Sequence, residues 1–383
     1  MCPWFESRWY HTYNKRTSVR LLHFKPLMES TRIPSHIHID PVFSHLTDWL
    51  SLHNPSSVVV ISDPMTEKWC LPALTPHLPP GTQFLRLGQH GEKIKSLEHA
   101  HALWDSFDGM GMDRNGLVIA LGGGTITDLT AFAASTYLRG LSFWLLPTTL
   151  LAMVDAAIGG KTGINFRGLK NRIGTFAQPA GISVHLPFLD SLNAREMANG
   201  WAEHIKHTLI SIPDAIRCSW EAPMEQAEPA SFLLAIESSI AIKSEVVAQD
   251  FEERTGARKV LNFGHTVGHA LESWALYKDL DLKHGEAIAW GMRVALKMSE
   301  EHPACPEVQA GAFDGVSRSI ARLIPLPCDL PPVDALWDLM CTDKKNTEGD
   351  MNMILLNGAG RPVLNATVSF SAVKQAIHNL PSG

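Results

Sequence analysis

The chain has 383 residues, of which 45% are hydrophobic and 19% charged, and its formal net charge is −6. That length allows two domains with sizeable cores, and the negative balance excludes a basic stripe for nucleic acid. The most apolar stretch, Leu141 to Gly160, is broken by Pro147, Thr148, Thr149 and Asp155, which excludes a membrane span.

Residues 1–27 are rich in Trp, Tyr, His and Arg and lack an apolar signal core. They are expected to be an extension that is disordered or not native, with Met28 as the natural start. From residue 58 short apolar runs alternate with helical patterns, the signature of a parallel α/β sheet. Val58–Ile61 predicts a buried strand ending at Asp63, and Phe84–Leu87 a second. Lys93 to Phe107 has helical spacing. Leu117–Leu121 predicts a third strand that runs into Gly122-Gly123-Gly124, with a helix over Ile126 to Ser135. Leu141–Leu146 predicts a fourth strand, ended by Pro147.

After about residue 190 the pattern becomes helical. Asn193 with Glu196 makes a capping-box-like start. Amphipathic spacing predicts helices over 194–209, 231–249, 265–274, 284–301 and 311–323, and strand signals stay weak until Met351 to Leu356. The expected architecture is an α/β nucleotide-binding domain with a mainly parallel sheet over 28–190, and an all-α metal- and substrate-binding domain over 191–383.

Three constellations carry chemistry. A glycine run between strand and helix lets backbone N–H groups approach a pyrophosphate at the positive end of the helix. Gly122-Gly123-Gly124 followed by Asp128 fits this, although it is not the G-x-G-x-x-G fingerprint. A tight turn would look similar, but Glu92, Lys95, Thr148 and Thr149 add polar groups at neighbouring strand ends. Next, Asp155, Gly159-Gly160-Lys161, Asn165 and Lys170-Asn171-Arg172 gather ammonium and amide donors suited to a phosphorylated substrate. Last, Gly264-His265-Thr266-Val267-Gly268-His269 and His284-Gly285-Glu286 bring imidazoles from two predicted helices. Glu203 is the best carboxylate to join His265 and His284, with His204 and His207 as alternatives and Lys206 one turn away. Two histidines and a carboxylate are the ligand set of an open, catalytic zinc site. The six cysteines form no Cys-x-x-Cys pair and read as reduced thiols of a cytoplasmic protein.

These motifs, with Tyr137-Leu138-Arg139-Gly140, Asn262-Phe263-Gly264 and Asp343-Lys344-Lys345, resemble the 3-dehydroquinate synthases of the sugar phosphate cyclase group. The resemblance runs in order from residue 58 to 357. It implies a two-domain homodimer that uses NAD and a divalent metal, zinc or alternatively cobalt, on a small phosphorylated substrate, without nucleic-acid or membrane partners. It implies that Glu203, His265 and His284 hold the metal. Asp63, Glu92 and Lys95, then Gly123, Gly124, Thr125 and Asp128, then Thr148 and Thr149 fall in the cofactor site. Asp155, Lys161, Lys170, Phe188 and Ser191 complete that set. Substrate contacts carry over to Arg139, Lys161, Asn171, Lys345, Asn262 and His269, and the substrate carboxylate to Lys243 and Arg258. Catalytic roles fall to Lys161, Lys206, His269, Asp155, Glu253 and Asn262. Met65 departs from the family pattern, in which an asparagine stands near the adenosine.

The implied reaction is a redox cycle on 3-deoxy-D-arabino-heptulosonate 7-phosphate. The C5 hydroxyl is oxidised, phosphate leaves by elimination with itself as base, the ketone is reduced again, the ring opens and an aldol closes the carbocycle. An amino-dehydroquinate synthase would use nearly the same site. A metal-dependent polyol dehydrogenase would share the glycine-rich strand end and helical metal domain, but it has no use for Lys161, Lys170 and Asn171 as a phosphate cluster. A non-catalytic scaffold would have no need of the ionisable set.

Overall fold

The computed structural model describes residues 33–88, 91–167, 169–212, 229–342 and 351–382. The expected extension 1–27 and the motif Asp343-Lys344-Lys345 lie outside the described residues. The chain forms two compact units: Met1–Met197 with Pro229–Glu252, and Ala198–Glu228 with Glu253–Gly383. This division differs from a single cut at residue 190, because the helix Pro229–Gln249 returns to the first unit and packs there on the turn Ala152–Ala156.

The first unit is built on a six-stranded sheet of order β1-β8-β5-β4-β2-β3. Its strands are β1 (Ile37–Ile39), β2 (Val58–Ser62), β3 (Gln83–Arg86), β4 (Leu117–Gly122), β5 (Ser142–Pro147) and β8 (Gly181–Val184), and every pairing is parallel. Every residue of β2 and β4 is buried. Such unbroken apolar runs, with no polar alternation, are what a central strand covered on both faces requires. From β2 the chain moves to β3 on one side and to β4 on the other. The strand order therefore reverses between β2 and β4, the place where open parallel sheets leave a crevice at their carboxyl ends.

Helices α1 (Ser44–His53), α2 (Pro64–Trp69), α3 (Leu97–Gly109) and α4 (Gly124–Thr136) connect these strands. The sheet is close-packed: a β-carbon on Gly181 would stand 2.3 Å from the Trp144 ring, whose Nε1 donates to Ser183 Oγ at 3.0 Å. Beyond the sheet, β6 (Lys161–Phe166) and β7 (Leu169–Phe176) form an antiparallel hairpin. The sequence does not announce it. All but two residues of β7 are exposed, so no apolar face marks the strand. The pairing also slips between Ile164 and Phe166.

Helix α5 (Ala194–Ser211) begins as expected, with Asn193 Oδ1 accepting from the Glu196 amide at 2.9 Å. Helix α6 (Pro229–Gln249) belongs to the first unit. The second unit holds α7 (His265–Tyr277), α8 (His284–Ser299), α9 (Asp314–Leu323), α10 (Val333–Thr342) and α11 (Phe370–His378). It is helical apart from an antiparallel hairpin of β9 (Met351–Leu356) and β10 (Pro362–Val368). The expectation of an all-α second domain is corrected to that extent. Helices α7 and α8 cross with almost no side chain between them. A β-carbon on Gly268 would lie 2.6 Å from Ile288, and one on Gly291 only 2.0 Å from the Gly264 carbonyl oxygen. No described helix is long and apolar enough to cross a membrane.

Candidate active site

In the first unit the nucleotide-type groups stand at the ends of β2, β4 and β5. Gly123 caps α4 in extended conformation, and a β-carbon there would lie 3.1 Å from Thr149. The open main chain at this helix start is the anion-binding geometry expected of the glycine run. Thr125 stands in the first turn of α4. Thr148 is buried and its amide donates to Gly122 O, while Thr149 Oγ1 accepts from the Ala152 amide at 3.2 Å.

Lys95, only 4% exposed, donates to Asp128 Oδ2 at 2.7 Å and also to Asn171 Oδ1. Burial pushes the Asp128 carboxyl up, and the Lys95 ammonium pulls against it. Glu92 accepts from Asn165 Nδ2 at 2.8 Å, and Asn165 Oδ1 accepts from the Asn171 amide at 2.9 Å. The structure thus joins the glycine-run group to the phosphate group of the sequence through one network. Lys161 and Lys170 are exposed on β6 and β7. Gly160 has φ +67, and a β-carbon there would meet the Phe251 ring at 2.5 Å, so only glycine serves this turn.

Several expected positions take other surroundings. Asp63 Oδ1 caps α2 and accepts from the Met65 and Thr66 amides at 2.9 and 2.7 Å, so that oxygen is committed to the helix start. Met65 is 51% exposed and contributes through its main chain. Phe188 is buried against Phe43 and His185, a core position, and Ser191 Oγ donates to its carbonyl at 2.7 Å. Lys243 lies in the first unit, where it donates to Asp155 Oδ1 at 2.7 Å. Arg139 is exposed in a turn where Leu138 and Arg139 both have left-handed backbone, at φ 50 and 67.

The second unit carries the metal constellation. Glu203 Oε1 lies 3.4 Å from His284 Nε2 and 3.8 Å from His265 Nε2. One ligand atom from each of the three falls within 4.8 Å of the others. A tetrahedral zinc with bonds of about 2.0–2.2 Å sets its ligand atoms about 3.4 Å apart, so this donor set fits the ion with little movement. The other ring nitrogens are already engaged: His265 Nδ1 contacts the Phe263 carbonyl at 3.2 Å and His284 Nδ1 contacts Glu272 Oε2 at 3.4 Å. Both Nε2 atoms are thereby turned toward Glu203. Burial and the Lys206 ammonium hold His265 well below the ordinary imidazole range. Burial pulls His284 down, but the carboxylates of Glu272 and Glu203 outweigh it and raise the group to about 10.

Glu203 is wholly buried and its Oε2 is paired with Lys206. The His269 ring stands 5.2 Å from that of His265 and 6.4 Å from that of His284, beside the trio. His204 packs on Trp201 at 4.3 Å, and neither it nor His207 joins His265 and His284. Arg258 is buried in the turn Ala257–Asn262, Asn262 is exposed at its end, and Glu253 has left-handed backbone at φ 56.

A family model for the 3-dehydroquinate synthase N-terminal domain matches residues 87–199, and one for the C-terminal domain matches 200–346. A 3-dehydroquinate synthase of Parabacteroides distasonis is 34% identical over 336 residues, covering 87% of this chain and 94% of the relative. The chain belongs to the 3-dehydroquinate synthase family. Two solved sugar phosphate cyclases are similar in structure. A 2-epi-5-epi-valiolone synthase from Streptomyces hygroscopicus with NAD+ and Zn2+ bound has a TM-score of 0.76 at 26% identity, covering 91% of this chain and 97% of that one. A 2-deoxy-scyllo-inosose synthase with carbaglucose-6-phosphate, NAD+ and Co2+ has a TM-score of 0.75 at 25% identity, covering 89% and 95%.

Two further residues of this 3-dehydroquinate synthase family member, Glu272 and Asn199, support the site. A signal for each was present. Glu272 falls seven residues after His265 and three after His269, on one helical face, and Asn199 falls one turn before Glu203. Asn199 Oδ1 accepts from the Gly285 amide at 2.6 Å and ties the start of α8 to the helix that bears Glu203.

Proposed function

We propose that this chain converts 3-deoxy-D-arabino-heptulosonate 7-phosphate to 3-dehydroquinate and phosphate, a carbon–oxygen lyase reaction, as a cytoplasmic homodimer. The observation that carries the reading is the trio Glu203, His265 and His284, in a chain of this family. The structural relatives with NAD+ and Zn2+ or Co2+ support NAD with zinc, or cobalt in its place. The free thiols of Cys70, Cys305 and Cys341 support a reducing compartment.

When bound, NAD supplies a reversible hydride acceptor and the metal acidifies a coordinated hydroxyl. The chain's own residues bind and orient. Main-chain N–H groups at Gly124 and Thr125 would hold the cofactor's pyrophosphate, and the Lys95–Asp128 pair fixes the neighbouring polar edge. Lys161, Lys170 and Arg139 offer exposed cationic groups to a phosphorylated substrate. Asp155 holds the Lys243 ammonium in place. Arg258 in the second unit reads the substrate carboxylate, and Lys243 is assigned to substrate binding within the first unit. In the second unit Lys206 balances the charge of Glu203, and His269, whose ring stands 5.2 Å from that of His265, is assigned with the exposed Asn262 to the substrate. Glu253 stands in the strained turn before Arg258.

The test is incubation of the purified chain with the heptulosonate phosphate, NAD and zinc. Phosphate and dehydroquinate are expected in equal amounts, with no net NADH. NADH accumulating in step with turnover would sink the cyclase reading and favour a dehydrogenase.

Arg258→Ala bears on substrate choice. A charged hydrogen bond to a carboxylate is worth about 1.5–3 kcal/mol, so kcat/KM should fall roughly 10- to 100-fold, mostly through KM, with zinc and NAD binding intact. Unchanged kcat/KM, or equal turnover of sedoheptulose 7-phosphate by the native enzyme, would move the assignment to another cyclase.

A further inference from the structure

We infer that Glu272 is a positioning residue for the metal centre: its carboxylate holds His284 with Nε2 toward Glu203 and strengthens that nitrogen as a ligand. The inference rests on the reading that Glu203, His265 and His284 bind a metal. The two histidines are secured differently. His265 is the first residue of α7, and its Nδ1 meets the Phe263 main-chain carbonyl two residues back. That acceptor is neutral and comes with the backbone turn itself. His284 is the first residue of α8 and has no local acceptor of this kind. Its Nδ1 instead meets a carboxylate oxygen of Glu272, on α7, at 3.4 Å. The Glu272 side chain is only 10% exposed, so water competes little for the contact.

Two fixings thus converge on His284. The main chain is pinned where the Gly285 amide donates to Asn199 Oδ1 at 2.6 Å. A β-carbon on Gly285 would stand 2.1 Å from the Asn199 carbonyl oxygen, so α8 starts in close contact with the helix that bears Glu203. The ring is then oriented by Glu272. A ligating histidine whose other nitrogen donates to a carboxylate is locked in one tautomer, and its free nitrogen becomes more basic. Loss of such a partner typically weakens metal binding about 10- to 100-fold.

The experiment measures zinc affinity by chelator competition on the purified full chain, for wild type, Glu272→Gln, Glu272→Ala and His265→Ala. Thermal unfolding of each metal-free protein is recorded alongside. Glu272→Ala is expected to bind zinc roughly 10- to 100-fold more weakly, while its metal-free unfolding midpoint stays at the wild-type value. Glu272→Gln keeps an acceptor but removes the charge, and should fall between the two. The visible absorption of the cobalt-loaded protein should change in Glu272→Ala, because the ring is no longer fixed. If either Glu272 variant binds zinc with wild-type affinity, the inference is wrong. If the variants lose stability without metal while the folded fraction binds zinc normally, Glu272 is only a packing residue and the inference is equally wrong. If His265→Ala also keeps zinc at wild-type affinity, the metal reading itself fails, which separates the two failures.

Discussion

A His265→Ala chain should come off the column with almost no zinc and no turnover. The proposed site has three protein ligands, and their atoms already stand within 4.8 Å of one another. An open catalytic site of this type leaves its fourth position to water or substrate, so removal of one imidazole leaves two anchors and no replacement. His265 is also the ligand that burial keeps neutral, with its Nδ1 against the Phe263 carbonyl and its Nε2 open to the ion. Metal binding requires a deprotonated ring, and this one is in that state before the ion arrives. Bound metal per chain should fall from about one to below about 0.1, with turnover falling alongside. NAD binding should persist, because the glycine-run groups belong to the other unit. Unchanged zinc content in this variant would remove the trio from the metal site.

The two histidine motifs were legible because each is short and local, whereas Glu203 was one of three candidates on its helix. His265 and His269 are spaced to share a helix face, and the glycines around them need a reason beyond helix formation. The central strands were legible for a related cause: Val58–Ile61 and Leu117–Leu121 are apolar without alternation, which only double-sided burial explains. What the sequence hid was tertiary. Glu272 reaches His284 from another helix, and Asn199 reaches Gly285 across 86 residues. Periodicity tells which face of α6 is buried but not against what, so its return to the first unit, with Lys243 on Asp155, could not be read. The β6–β7 hairpin was hidden because its exposed strand carries Lys170, Asn171 and Arg172 where an apolar face would have marked it. Asp63 follows β2 directly and caps a helix, and Phe188 lies in the turn Leu186–Ser191 and fills the core.

The close crossing of α7 and α8 predicts the second large effect, from a single methyl group. A β-carbon on Gly291 would stand 2.0 Å from the Gly264 carbonyl oxygen and 2.9 Å from the Gly268 amide nitrogen. Both obstacles are main chain, so no rotamer change relieves them and the helices themselves must part. Overpacking a tight core costs typically 1–3 kcal/mol, and a backbone clash of this depth belongs at about 3 kcal/mol or above. Gly291→Ala should therefore lower the urea unfolding midpoint strongly. It should also weaken zinc binding in the folded protein, because α7 carries His265 and α8 carries His284. Gly315→Ala is the matched control. It sits exposed in α9 with nothing within 4 Å of the added carbon, and alanine is favoured over glycine in a helix by up to about 1 kcal/mol. That variant should be as stable as wild type or slightly more so, with unaltered zinc affinity. Equal midpoints and equal zinc affinities for the two variants would mean that the glycine crossing does not set the spacing of the metal ligands.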